Sequence, residues 1–85
     1  MYYLYILLNS VTKKFYIGQT KNLERRLYYH NSGFNKSTKG KGSWELAYKE
    51  IFPFRTDAIK REKELKAKKS KQFIISLIKN GERPE

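Results

Sequence analysis

Residues 2–8 read Tyr-Tyr-Leu-Tyr-Ile-Leu-Leu, seven in a row without a charged or amide side chain. Successive strand side chains point to opposite faces, so a strand with one wet face alternates apolar and polar positions. An unbroken run of this length reads instead as a strand covered on both faces, hence central in its sheet. Such a strand demands two covering layers from a chain of only 85 residues, which is expected to form one domain. Domains of this size bury only about 60% of their unfolded surface. The 15% aromatic content compensates, since each aromatic side chain buries roughly 150–250 Å².

The same run is too short for a membrane span and has the wrong flanks for a signal peptide. A cytoplasmic location and no membrane partner are the expectation. There is no cysteine, which excludes disulfides, thiolate metal sites and cysteine nucleophiles. The net charge is +11, from 19 Lys and Arg against 8 Asp and Glu. A charge this lopsided on a small domain points to a polyanionic partner, nucleic acid first. The basic residues do not gather on one lipid-facing amphipathic helix, which argues against a membrane surface.

Beyond the first strand, Asn9 to Lys13 forms a turn, and Lys14 to Gly18 a second short strand rich in aromatic and β-branched residues. The short connection makes an antiparallel hairpin. A helix follows from Leu23 to Asn31, with Asn22 as N-cap, Glu24 at the positive end of the helix dipole, and Leu23 and Leu27 as its buried stripe. Asn31 to Ser43, with Gly33, Gly40 and Gly42 among Lys36, Lys39 and Lys41, has no periodicity and reads as a basic loop. Trp44 to Phe52 is a third strand, with Trp44, Leu46, Tyr48 and Phe52 on one parity, and Pro53 ends it. Thr56 or Asp57 is expected to cap a second helix carrying Ala58, Ile59 and Leu65. Ser70 is expected to cap a third, with Phe73, Ile74, Leu77 and Ile78 apolar and Asn80-Gly81 as its stop. The order is β-β-α-β-α-α, an α+β fold: a three-stranded antiparallel sheet with helices packed on it. Residues 1–80 form the domain and 81–85 a short tail.

Four features carry chemistry. Glu62 falls four residues after Ala58, three after Ile59 and three before Leu65, on the buried stripe of its helix. A carboxylate there is costly unless it is paired or binds a metal. Two readings stay open: a ligand to a divalent ion such as Mg²⁺, or an internal pair with Arg26 or Lys66. Arg26 lies at the rim of the first helix's stripe, where a guanidinium can grip two phosphate oxygens. His30, the only histidine, lies four residues on, on the same side of that helix; it is either a proton-handling group or a satisfied structural residue. Tyr16 precedes Gly18, whose missing side chain lets another group come close. Tyr5 lies across the hairpin from it, as core or as an orienting group.

Tyr16-Ile17-Gly18 and Tyr3-Leu4-Tyr5, followed by Arg26, His30 and the run Arg61-Glu62-Lys63-Glu64-Leu65-Lys66, resemble the GIY-YIG nuclease superfamily over nearly the whole chain. They look most like its small stand-alone bacterial members, which are similar to the nuclease domain of an excision-repair subunit. The second motif is intact; in the first, Tyr3 replaces the glycine. Some members carry a lysine directly after the second glycine, where this chain has Gln19, with Lys21 two residues on. The resemblance implies an endonuclease that hydrolyses DNA phosphodiester bonds with Mg²⁺ or Mn²⁺, with structure-specific, repair-related action as a further expectation. It implies that Glu62 holds the metal, Arg26 stabilises the phosphorus centre, and Tyr16 takes a proton from the attacking water, assisted by Tyr5 and His30. A free phenol is a poor base at neutral pH, so a neighbouring cation must favour the phenolate; whether Tyr16 or His30 takes the proton is open. Lys21, Arg25, Lys36, Lys39, Lys41 and Lys66 are candidate phosphate-backbone contacts, which give affinity without sequence readout. The chain leaves no room for a separate binding domain, so selectivity would come from the basic loop, a DNA shape or a protein partner. It is expected to act as a monomer. A non-catalytic nucleic-acid-binding module on the same fold is the alternative, and a protein or RNA partner a more distant one.

Overall fold

The computed structural model describes residues 1–32 and 42–80. The chain folds in the order β1 (Tyr2–Asn9), β2 (Phe15–Thr20), α1 (Leu23–Asn31), β3 (Trp44–Phe52), α2 (Arg55–Lys68), α3 (Lys71–Asn80). The sheet runs β2-β1-β3, antiparallel throughout. The unbroken apolar strand is the central one, as its composition requires: Leu4, Tyr5, Ile6 and Leu7 are each at most 2% exposed.

The two parities of β1 feed two separate cores. Leu4 and Ile6 pack with Leu65 of α2 and Ile74 of α3, ringed by Phe15, Ile17, Tyr48 and Phe52. Tyr5 and Leu7 pack with Trp44 on the other face, under Leu23 and Leu27 of α1. The sheet is therefore the filling between α1 and the α2–α3 pair. Fully burying a side chain of this size contributes about 1.5–3 kcal/mol, so the four central residues of β1 anchor both layers.

Local signals explain most boundaries. Asn9 turns the hairpin by accepting the backbone N–H groups of Val11 and Thr12 on its Oδ1, both at 2.9 Å, an Asx turn. Asn22 caps α1 by accepting the Arg25 N–H at 3.0 Å, and Ser70 caps α3 by accepting the Phe73 N–H at 3.1 Å. Asn31 ties the end of α1 to the start of β3: Trp44 N–H donates to Asn31 Oδ1 at 2.7 Å, and Asn31 Nδ2 donates to the Trp44 carbonyl at 3.0 Å. Between α2 and α3 the chain reverses at Lys69, in the left-handed region at φ 49°.

Three expectations are corrected. The second strand starts one residue later than expected and runs on to Thr20. The second helix starts at Arg55 with Phe54 at the cap position and no side-chain cap; Asp57 lies inside the first turn, favourable to the dipole but not a cap. The single parity expected for Trp44, Leu46, Tyr48 and Phe52 is broken. Leu7 pairs with Leu46 but Ile6 with Tyr48, so Ala47 is an extra residue. This bulge puts Trp44 on the α1 face and Tyr48 and Phe52 on the α2–α3 face. The basic loop and the tail, with Lys36, Lys39 and Lys41, lie outside the described residues.

Candidate active site

The α1 face of the hairpin gathers the aromatic candidates. Tyr5 pairs with Gly18 across the β1–β2 ladder, and its ring lies over that glycine. A Cβ at Gly18 would stand 2.6 Å from Tyr5 Oη and 2.8 Å from Cζ. Gly18 is thus the glycine of a close approach, as its position suggests, and the group that approaches is the phenol of Tyr5. The Tyr5 hydroxyl reaches α1, where Tyr5 Oη and His30 Nε2 are 3.1 Å apart. Tyr16 stacks beside Tyr5, with ring centroids 6.4 Å apart and planes at 21°. His30 sits 4.5 Å from the Tyr16 ring, and Trp44 closes the far side at 6.3 Å.

The two phenols have different surroundings. Tyr5, on the central strand, is 2% exposed. Burial pushes its pKa well above the usual phenol range, helped by Tyr16 and the Glu62 charge and opposed by the Arg26 guanidinium. It is a neutral O–H at any physiological pH. Tyr16, on the edge strand β2, is half-buried. His30 is 1% exposed. Burial, with Arg26 adding, lowers its pKa, so the imidazole is neutral and its Nε2 can accept the Tyr5 proton.

Arg26 is half-buried beside this cluster, its guanidinium carbon 5.8 Å from the centroid of the Tyr29 ring. Its Nε is buried and meets no hydrogen-bond acceptor among the described residues. An orphaned, charged donor is expensive in a folded protein, and an anionic oxygen would satisfy it.

Glu62 is on α2, which packs on the other face of the sheet. Its side chain is 22% exposed, and Lys66 Nζ donates to its Oε2 at 2.7 Å. The sequence left a metal ligand and an ion pair open; the structure contains the pair with Lys66, one of the candidate phosphate contacts. The pair uses one carboxylate oxygen, and the other accepts no hydrogen bond among the described residues. Glu62 is still near enough for its charge to act on the Tyr5 hydroxyl. No cluster of three or more His, Asp or Glu side chains stands ready to enclose a metal among the described residues. A single carboxylate with one available oxygen fits Mg²⁺, which keeps waters and takes remaining ligands from substrate phosphates.

A second charged network on α2 is structural. Arg61 donates Nε and Nη2 to the two oxygens of Glu50 on β3, both at 3.0 Å, and Nη1 to Glu64 at 3.0 Å. Tyr48 donates to Glu50 from the same side; burial and the Glu50 carboxylate push its pKa up to about 12. This fork ties α2 to β3, one residue from Glu62.

Lys21 and Arg25 flank the start of α1 and lie next to Arg55 of α2. Sequence reasoning missed Arg55, because only the path of the chain through Pro53 brings it there. It also missed Trp44 as a wall of the Tyr16 site, because the bulge decides which face Trp44 takes.

Comparison with known proteins agrees with this architecture. A family model described as the GIY-YIG catalytic domain matches residues 1–74. A UPF0213 protein of Staphylococcus saprophyticus is 39% identical over 67 residues, covering 78% of this chain and 80% of its own. A UPF0213 protein of Syntrophus aciditrophicus is 40% identical over 81 residues, covering 93% and 91%. The solution NMR structure of a UPF0213 protein from Bacillus halodurans superposes with a TM-score of 0.61 at 31% identity, covering 99% of this chain and 89% of that one.

Proposed function

Because this chain belongs to the GIY-YIG family, within it to the small single-domain UPF0213 proteins, we propose that it is a divalent-metal-dependent endonuclease hydrolysing DNA phosphodiester bonds. The observation that carries this reading is the buried, unpartnered Nε of Arg26 beside the Tyr5–Tyr16–His30 cluster. A phosphate oxygen would fill that vacancy in the hydrogen bonding, and the guanidinium would neutralise the charge that builds on phosphorus.

In this reading each residue has one task. Tyr16 is the phenol that a water at the sheet edge can reach. It takes the proton as the water oxygen bonds to phosphorus and the P–O bond to the leaving sugar breaks; the leaving oxygen is protonated from solvent. Tyr5 and His30 are positioning residues, since both are buried: the Tyr5–His30 contact fixes the imidazole against the Tyr16 ring. Glu62 would hold Mg²⁺ or Mn²⁺, which when bound supplies Lewis-acid stabilisation of the leaving oxygen. Lys66, paired with Glu62 in the free protein, would be the nearby cation for substrate phosphate. Lys21 and Arg25 hold the DNA backbone, and repair is a fitting context for such an activity.

The test is a nicking assay on flapped, branched and plain duplex DNA with Mg²⁺ or Mn²⁺. Metal-dependent cleavage should disappear in Glu62→Ala and fall steeply in Arg26→Ala while DNA binding persists. Binding without a metal-dependent cut on any substrate would mean a non-catalytic nucleic-acid-binding module.

A further inference from the structure

Two surface cavities meet at the start of α1, and they differ in chemistry. One, of about 540 Å³, is lined by Lys21, Arg25, Arg26 and Arg55 with Gln19 and Thr20. The other, of about 400 Å³, is lined by Tyr28 and Tyr29 with Arg25 and Arg26. Arg25 and Arg26 line both, so the two adjoin, and Arg26 also borders the candidate active site. Among the described residues, no carboxylate lines either cavity. Among the described residues, none of the four cations makes an ion pair. Four unneutralised cations around one cavity repel each other, an arrangement that a polyanion relieves.

The aromatic end carries the distinguishing information. Tyr28 is 70% exposed on a helix whose buried stripe is elsewhere. A mostly exposed ring beside guanidinium groups matches what an unpaired base needs, a flat face next to a phosphate anchor. Arg55 is itself steadied by an aromatic ring, its guanidinium carbon 5.2 Å from the centroid of Tyr2, and so is held for contact at low entropic cost.

We propose that these cavities form one track for single-stranded DNA: Lys21, Arg25 and Arg55 hold the sugar-phosphate backbone, and Tyr28, flanked by Tyr29, stacks an unpaired base. The proposal rests on the nuclease reading and narrows it. The preferred substrate carries a single-stranded segment, such as a flap or overhang, next to the bond to be cut. A blunt duplex presents phosphates to the cationic cavity but no free base face to Tyr28.

Fluorescence anisotropy with labelled single-stranded, overhang and blunt-duplex DNA tests this, in EDTA so that nothing is cleaved. The wild-type protein should bind the first two more tightly than the blunt duplex. Tyr28→Ala should weaken overhang binding about five- to hundredfold, the range for losing one stacked base. Tyr28→Phe should keep it. Arg55→Gln should weaken all three substrates and reduce the salt slope by about one. Equal affinity for blunt and overhang DNA, or wild-type affinity in Tyr28→Ala or Arg55→Gln, overturns the track. Cleavage is scored separately with Mg²⁺. Cleavage with an unaffected Tyr28→Ala removes the track and leaves the nuclease; intact binding preferences with no cleavage do the reverse.

Discussion

Gly18→Ala is the sharpest test of the site's construction, because two physical arguments predict opposite signs. Gly18 does not have a positive φ, so no backbone strain forbids a side chain there. If it were an ordinary strand glycine, alanine would stabilise the protein by roughly 0.5–1 kcal/mol through reduced chain entropy. The structure puts the new Cβ 2.6 Å from Tyr5 Oη, 2.8 Å from Cζ and 3.2 Å from Cε2. That ring is not the loose end of a flexible side chain: it is 2% exposed and held against His30. It must move by about an ångström to reach ordinary van der Waals separation. Overpacking of this kind costs about 1–3 kcal/mol, and stretching the buried Tyr5–His30 contact adds about 1–3 kcal/mol. After subtracting the entropic gain, the variant should lose about 1–5 kcal/mol, each kcal/mol lowering Tm by about 4–8 °C in a domain of this size. Thermal and urea unfolding followed by circular dichroism measure it. The Tyr5→Phe/Gly18→Ala double variant removes the atom that clashes hardest, so it should be less unstable than the sum of the two single changes. A Gly18→Ala protein as stable as the wild type, or more so, refutes the account of why this glycine is there.

Further outcomes follow from the same geometry. Unfolded His30 protonates near pH 6.5, whereas the folded imidazole resists protonation to lower pH; stability from this group is full above pH 6.5 and falls as pH drops from there through its lowered pKa. His30→Gln should flatten that part of the urea-midpoint curve between pH 7.5 and 5; an unchanged slope would show that His30 titrates normally. Arg26→Ala should reduce metal-dependent cleavage about 10²–10³-fold with little loss of Tm, measured by nicking rates and thermal melts; activity within a few-fold of wild type removes Arg26 from the phosphate site. Asn31→Ala removes the side chain that bonds both the Trp44 backbone N–H and C=O and should cost about 1–3 kcal/mol in urea unfolding, with Trp44 fluorescence reporting loosening of the α1–β3 junction.

How far the fold could be read from residues depended on whether a signal was local. The burial of Leu4 to Leu7, the Asn22 and Ser70 caps, and the Leu23/Leu27 stripe all follow from a few neighbouring residues, and all are present. The bulge at Ala47 is not local. It is created by the register that β3 adopts against β1, and nothing within Trp44 to Phe52 announces it. Its consequence reaches the site, because it sends Trp44 to the Tyr16 face while Tyr48 serves the opposite core. The Glu62 ambiguity has the same origin. Helical spacing identifies the stripe, but whether a half-buried carboxylate meets a cation from its own helix or from elsewhere depends on side-chain choices that spacing does not encode. Here Lys66, one turn on, supplies the cation.

The assignment of the two hairpin tyrosines also depends on position in the sheet. Tyr5 and Tyr16 are similar in sequence terms, each in a short apolar run beside the other. Their strands are not equivalent: β1 has a neighbour on each side and a layer on each face, whereas β2 has one open edge. A phenol on the central strand loses its water, its pKa rises, and it serves as a fixed O–H for His30. A phenol on the edge strand keeps a path for water and can exchange a proton with it. The proposed proton acceptor therefore belongs on β2, and Tyr5→Phe and Tyr16→Phe should differ in kind. The first should perturb stability and leave the pH profile of cleavage where it was; the second should abolish cleavage and leave stability nearly unchanged. Denaturation and pH–rate measurements on the two variants decide it: a stable Tyr5→Phe protein without activity would exchange the two roles.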